Sequence, residues 1–175
     1  LIDIRSVFDF DGATNVNIAA LADPAQTTAD QRQARFLRLE KAVSLPDDEV
    51  RDFDNSAFGV SQQQGMREIL GYVPVEPDGS VVAKVPADVA IAVSVVDRDG
   101  RRVTARHQNW LQVRPGEVLS CNGCHVTQSG VSHGRRDAFV SAWGGATVDG
   151  QPFPNTESAF FANFGETMAQ VKQRI

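Results

Sequence analysis

The chain has 175 residues, of which 42% are hydrophobic and 22% charged, and its formal net charge is −5. This length and balance suffice for one folded domain with its own core. The acidic balance and the lack of a Lys/Arg-rich stretch argue against nucleic acid or an anionic membrane as a partner. No apolar stretch approaches the roughly 20 residues of a membrane-spanning helix, so no span is predicted.

The first half of the chain predicts strands and loops. Residues 1–10 alternate like a strand, and the following "DFDGATN" predicts a solvated turn, because it lacks the later ligands of a calcium loop. Thr28 is expected to cap a short polar helix that runs to about Gln33. The further predictions in this half are a strand at 35–44, a long surface loop at 47–65 and one or two helical turns at 65–72.

Residues 80–107 carry the clearest β signal. Three strand-like runs, at 80–89, 90–97 and 101–107, are separated by turn residues, and Asp99-Gly100 is typical of a tight hairpin. The pattern predicts an antiparallel meander or sandwich. The later chain predicts a short helix ending at Gly144-Gly145 and a C-terminal helix capped by Thr156 and interrupted near Gly165.

The only two cysteines lie in "SCNGCH", residues 120–125. C-x-x-C-H is typical of covalent haem attachment, in which both thiols become thioethers and the imidazole is the proximal axial ligand of the iron. Cys121, Cys124 and His125 are therefore predicted to bind one haem c. The fold class that follows is α+β, with an antiparallel sheet or sandwich-like scaffold and a short-helical haem-binding segment in the C-terminal half.

Three other interpretations of the two thiols are weaker. A zinc site needs a second ligand pair, and only His107 and His133 are present to supply it. A thioredoxin-like redox pair would open a helix after a strand in a βαβ unit, and this context is missing. A structural disulfide would close a very small loop and add little stability.

The stretches "VPADVAIAVSVVDRDGRR" and "HQNWLQVRPGEVLSCNGCH" resemble the c-type haem domain of the hydrazine synthase alpha subunit family and of related exported bacterial proteins. The resemblance covers roughly residues 66–126. It implies an exported, β-containing domain with one haem c, and it does not carry over hydrazine chemistry, which uses further domains, haems and subunits. The family's Tyr a few residues beyond the motif is absent from 126–130, so His125 is the expected proximal ligand.

The distal side of the iron decides the function, and the sequence leaves it open. Met168 stands late in the chain before a final helix, as in small class I cytochromes c, although it also suits a core position. His133 is the second candidate, with binding to a haem propionate as its alternative role. His107 and Met66 are the third and fourth candidates, although His107 also suits the surface or a position just outside the iron's ligands, and Met66 also suits the core or the surface. An iron without a distal protein ligand is the fifth option.

Further side chains are predicted around the porphyrin. Arg135 and Arg136 suit contacts with the propionates, because a guanidinium pairs well with a carboxylate, although adjacent arginines are also common on solvated surfaces. Trp143 is expected to pack against the haem, together with several nearby phenylalanines, which could equally be ordinary core: Phe139, Phe160, Phe161 and Phe164.

The sequence thus predicts a single monohaem c-type cytochrome domain, with a β scaffold at 1–110 and a haem-binding segment at 111–175, cut from a larger protein. Its expected function is one-electron transfer with a redox partner protein or a neighbouring domain, in the periplasm or outside the cell. The alternative is a redox-catalytic or gas-binding domain with a five-coordinate haem. A carbohydrate- or protein-binding module is a third option, but no aromatic platform supports it.

Overall fold

The computed structural model describes residues 1–54, 66–105, 107, 109–126, 140–146, 153–154, 157 and 161–175. Six strands and two short α-helices are found in these residues: β1 (Ile2–Ile4), α1 (Ile18–Ala22), β2 (Phe36–Val43), β3 (Met66–Pro74), β4 (Val81–Ala83), β5 (Ile91–Val96), β6 (Leu119–Cys121) and α2 (Met168–Arg174). A 3₁₀ turn, Ala29–Gln31, precedes β2.

The strands form two three-stranded sheets. The first has the order β4-β1-β6, in which β1 is antiparallel to β4 and parallel to β6. The second has the order β3-β2-β5 and is antiparallel throughout. Because β1 and β6 lie at distant places in the sequence, their pairing brings the chain start beside the cysteine motif.

Both sheets contribute to one hydrophobic core. Leu37 and Leu39 of β2 project inward with period two, and they meet inward residues of β1, β4 and β5. The buried members of this cluster are Ile2, Ile4, Val7, Ala34, Leu37, Leu39, Val81, Ala83, Ile91, Val95 and Val113. A β-rich architecture with two sheets over a shared core is therefore confirmed.

The early strand predictions are also confirmed. β2 lies within the predicted 35–44, β4 and β5 lie within 80–97, and the 3₁₀ turn follows Thr28 as its N-cap. The Asp99-Gly100 turn is present, with the Gly100 amide donating to Asp97 O at 3.1 Å and Gly100 at φ 77°.

The predicted helical turns at 65–72 are wrong, because Met66–Pro74 is a strand paired with β2 along its length. The edge of β2 that does not pair with β5 supplies hydrogen-bond partners for the backbone of this segment. Ile69, Tyr72 and Val73 also have high β-propensity. In place of the third predicted strand, 101–107, the chain has a single β-bridge between Arg102 and Val96. After it, the amides of Val103 and His107 donate to Val95 O and Val93 O of β5.

The C-terminal predictions need correction too. The short helix predicted to end at Gly144-Gly145 is not seen in 140–146. There the Ala142 amide donates to the Asp9 side chain, and the Arg5 side chain donates to the carbonyl oxygens of Trp143 and Gly144. In a helix these backbone groups would bond to one another. Helix α2 is capped by Thr167 in a capping box with Gln170. Thr156, the predicted cap, lies outside the described residues. Among those residues, α2 is the only helix after β6, and neither α-helix is long and apolar enough to cross a membrane.

We expect Leu37→Ala to lower the free energy of unfolding by about 2–5 kcal/mol, because Leu37 is 0% exposed and the substitution leaves a cavity at the centre of the core. Urea unfolding followed by far-UV circular dichroism measures the change. Leu70→Ala in β3 is the matched control, since Leu70 is 38% exposed; a similar loss in both variants would contradict the assigned core.

Candidate functional site

The cysteine motif runs beside the N-terminal segment as an extension of the first sheet. The Arg5 amide donates to Cys121 O at 2.9 Å, and the Ser6 amide donates to Asn122 O at 3.3 Å. Further along, the Cys124 amide donates to Asp9 O at 2.7 Å, and the Asp11 amide donates to Cys124 O at 3.1 Å. Residues 5–11 therefore hold both ends of the C-x-x-C loop through backbone hydrogen bonds.

Gly123 allows this close approach. A Cβ atom at this position would lie 2.6 Å from Asp9 Cβ, 2.6 Å from Asp9 O and 2.7 Å from Ser6 O. Two of these atoms belong to the backbone, so they cannot move aside as a flexible side chain would. The loop accepts only glycine here without displacing the N-terminal segment.

Asp9 connects the motif to a third segment of the chain. It is 0% exposed, and its Oδ2 accepts hydrogen bonds from the Ala142 amide at 2.6 Å and from Ser141 Oγ at 3.0 Å. Its Oδ1 accepts from the Gly12 amide at 2.8 Å. The turn predicted at 9–15 is present, but the prediction that it is solvated is wrong for Asp9, whose carboxylate is satisfied by protein donors.

Both cysteine thiols are partly buried, and neither forms a disulfide. Burial raises the pKa of Cys121 to about 11, with a smaller contribution from the charge of Asp3. Burial also raises the pKa of Cys124 to about 12, aided by Cys121 and Asp9, and its Sγ donates to Val7 O at 3.8 Å. Reactive thiols require thiolates, so these surroundings disfavour the redox-pair interpretation.

The structure brings a second histidine to the motif. The rings of His107 and His125 have centroids 6.1 Å apart and planes inclined by 86°. His107 Nδ1 lies 2.6 Å from Asn109 O, and His125 Nδ1 lies 3.1 Å from Val126 O. Each carbonyl oxygen can only accept, so in both rings Nδ1 is the donating nitrogen.

His107 is held beside His125 by the second sheet. Its amide donates to Val93 O of β5 at 3.3 Å, and the Leu111 amide donates to Ile91 O at 2.7 Å. Burial lowers the pKa of His107, and the charges of His125 and Arg67 lower it further, against the hydrogen bond to Asn109. The ring is therefore neutral at pH 7, which is the form that binds metals.

A cleft of about 630 Å³ opens next to Cys121 and Trp143. Trp143 is fixed there, because its Nε1 donates to the buried Asp78 Oδ2 at 3.0 Å. The lining is polar on one side, through Asp3, Arg5 and Gln170, and includes the 91%-exposed Val140. Its volume lies within the usual range for small-molecule and cofactor sites.

The other predicted site residues are placed differently. Met168 begins α2 and packs, with Trp143, against an apolar cluster of Ala146, Phe153, Ala162 and Val171. Met66 begins β3, opposite Val43. His133, Arg135, Arg136, Phe139 and Phe160 lie outside the described residues, and Phe161 and Phe164 are exposed. The roles predicted for these residues stay predictions.

Sequence reasoning missed Asp9, Asp78 and the contact between the two histidines. Asp9 sits in a turn-like "DFDG", and Asp78 in a turn-like "PDGS", so both had the pattern of solvated residues. Asp78 is 0% exposed and accepts from the amides of Ser80 and Met168, each at 3.0 Å. No local pattern indicates that such distant segments donate to one carboxylate.

The described residues fit a covalently attached haem. Two unpaired thiols and the imidazole of C-x-x-C-H lie in one loop whose backbone is fixed by 5–11. Burial disfavours the charged thiolate form of a cysteine. A thioether is uncharged and has no proton to lose, so burial does not disfavour it. His125 is exposed and presents Nε2 as its acceptor nitrogen.

Comparison with known proteins identifies relatives for most of the chain. A family model described as the hydrazine synthase alpha subunit middle domain matches residues 11–126, a range that includes the whole motif. Hydrazine synthase subunit alpha of Kuenenia stuttgartiensis is 37% identical over 71 residues, which are 41% of this chain and 8% of that protein. The solved Kuenenia stuttgartiensis hydrazine synthase matches with a TM-score of 0.51 and 21% identity, covering 71% of this chain and 17% of that chain. At this identity the structural match supports the fold alone. The chain spans less than a tenth of its curated relative.

We expect Gly123→Ala to destabilise the fold by about 1–3 kcal/mol, because the added methyl group overpacks the contact with Ser6 and Asp9. Gly144→Ala is the matched control: it lies at the neighbouring cleft, but a Cβ there meets nothing within 4 Å. Thermal unfolding of both variants measures the difference. Equal stability of the two would refute the close packing of the motif against 5–11.

The free-thiol form should lose stability at high pH. Between the ordinary cysteine pKa of 9.0 and the folded values of about 11 and 12, the unfolded chain has lost thiol protons that the folded chain still holds. Stability therefore falls as pH rises through this window, by up to about 4 kcal/mol from pH 8 to pH 10.5 for the two thiols together. Urea unfolding at both pH values measures this loss.

The Cys121→Ser/Cys124→Ser double variant is the control for this pH dependence, because a serine hydroxyl does not titrate here. Its loss over the same interval should be smaller than that of the parent chain. An equal loss in both proteins would mean that the thiols are not buried.

Proposed function

This chain belongs to the hydrazine synthase alpha subunit middle-domain family, and from that premise we propose that it is a monohaem c domain of a larger redox enzyme. Its proposed role is one-electron transfer outside the cytoplasm. The observation that carries the proposal is the complete C-x-x-C-H motif at 121–125, held in a single fixed loop within the family-matched range.

The chain's own residues have distinct parts in this proposal. Cys121 and Cys124 would hold the haem through thioethers, and His125 would bind its iron through Nε2, oriented by the hydrogen bond from Nδ1 to Val126 O. The bound haem would supply an iron that can be ferric or ferrous. Trp143, anchored on Asp78, borders the cleft beside Cys121 and would pack against the porphyrin. Arg135 and Arg136 are proposed to pair with its propionates.

Electron transfer needs a donor and an acceptor close to this site. The curated relative is named as a subunit, and this chain spans only 8% of its length. We therefore propose that neighbouring domains or subunits are the redox partners. Haem attachment of this kind by the usual bacterial machinery takes place on the periplasmic side, which gives the proposed location.

A second function is favoured by the cleft. If the iron kept an open position, the 630 Å³ space beside Cys121 and Trp143 would admit a small ligand, with Arg5 and Asp3 as polar lining. The domain would then bind gases or take part in redox catalysis. Arg5 already donates to the carbonyl oxygens of Trp143, Gly144 and Gly165, which reduces its capacity to bind a substrate.

Exported expression of the chain together with a cytochrome c maturation system tests haem attachment. We expect a red protein whose denatured mass exceeds that of the polypeptide by one haem, since thioethers survive denaturation. Cys121→Ala/Cys124→Ala should remove the added mass. His133→Ala is the control, because it changes a histidine outside the motif and should leave attachment intact.

A colourless product with the mass of the bare polypeptide, obtained while a known c-type cytochrome matures in the same cells, would refute the proposal. If haem is attached, carbon monoxide distinguishes the two functions. Reduced protein that does not bind carbon monoxide supports electron transfer, and stoichiometric binding supports the open-iron alternative.

A further inference from the structure

We propose that His107 is the second axial ligand of the haem iron, on the side opposite His125. The inference rests on the proposed function, because it needs the haem at Cys121 and Cys124. It selects one of the candidates that the sequence left open, although the sequence context of His107 favoured a surface position over a ligand role. It also makes the iron six-coordinate, with two imidazoles.

The spacing of the two rings matches this role. A metal–imidazole bond is about 2 Å long, which puts the ring centre about 3 Å from the metal and two opposed ring centres about 6 Å apart. The observed separation of the His107 and His125 centroids is 6.1 Å. An ordinary edge contact between aromatic rings covers about 4.5–7 Å, so the distance needs independent support.

The hydrogen bonds of the two rings give that support. Metal-bound histidines usually donate the other ring N–H to a carbonyl or carboxylate, which fixes the tautomer. Both histidines have this arrangement, with Nδ1 bonded to Asn109 O in His107 and to Val126 O in His125. Nε2 is then the nitrogen through which each imidazole would bind the iron.

Separate elements hold the two rings in place. The His107 amide is bonded to Val93 of β5, while the loop that carries His125 is bonded to residues 5–11 of the first sheet. Arg67 stacks its guanidinium on the Trp110 ring at 4.3 Å and pairs with Glu40 at 3.1 Å.

Met168 is the competing ligand within the described residues. It packs against the apolar cluster of Ala146, Phe153, Ala162 and Val171, and its backbone amide is bonded to Asp78. The ring centroid of His107, by contrast, lies 6.1 Å from that of His125. The geometry thus favours His107 over Met168.

The test uses the full 175-residue chain with haem attached. Ferric protein should be low-spin, and its electron paramagnetic resonance spectrum should be highly anisotropic, because the ligand planes are near perpendicular at 86°. His107→Ala should convert the iron to high-spin, allow stoichiometric carbon monoxide binding after reduction, and return to low-spin when imidazole is added. His107→Met should stay low-spin with a higher reduction potential, since methionine–histidine ligation raises it.

Met168→Leu and His133→Ala are the matched controls, and both should keep the parent spectrum. A low-spin spectrum in His107→Ala without imidazole would overturn the proposal, as would a high-spin shift in either control. Imidazole rescue separates loss of the ligand from misfolding, and a His107→Ala protein that imidazole does not restore also counts against the role. Failure of haem attachment, seen by mass, would instead refute the proposed function.

Discussion

The buried carboxylate of Asp9 is the interaction on which the site depends. Its side chain accepts hydrogen bonds from Gly12, Ser141 and Ala142, and its own carbonyl accepts from the Cys124 amide. A charged group removed from water is costly unless donors surround it, so these three segments are held together by the need to satisfy one residue. The position of the C-x-x-C loop is thus set from outside the motif.

The buried carboxylate of Asp78 likewise holds segments of the C-terminal part of the chain together. Its carboxylate accepts from Trp143 Nε1 and from the amides of Ser80 and Met168, so the cleft wall and the start of α2 share one anchor. Arg5 completes this arrangement by donating to the carbonyl oxygens of Trp143, Gly144 and Gly165. Buried polar networks of this kind specify one arrangement of segments that have few apolar contacts of their own.

Prediction from sequence succeeded where the signal is local. The alternation of Leu37 and Leu39 indicated β2, Asp99-Gly100 indicated the turn after β5, and the spacing of Cys121, Cys124 and His125 was the most specific signal for the family. It failed for β3, because pairing with β2 decides the conformation of 66–74 and the local pattern does not.

The proximity of His107 and His125 could not be predicted from local sequence patterns either. It arises because two separate sheets, each formed by strands distant in sequence, position one ring each. The buried states of Asp9 and Asp78 have the same origin, since Asp9 accepts from Ala142, 133 residues away, and Asp78 accepts from Trp143, 65 residues away. Only the assembled fold distinguishes such residues from solvated turn residues.

The parallel alignment of β1 with β6 has a consequence for how the protein is made. The two strands are among the most distant in the chain, and contacts of this range form late in folding because a long loop must close first. Until they meet, the sulfur atoms of Cys121 and Cys124 stay open to an attachment enzyme; afterwards Gly123 lies against Asp9 and both thiols are partly enclosed. Cofactor insertion in the proposed cytochrome would then have to precede closure of the first sheet.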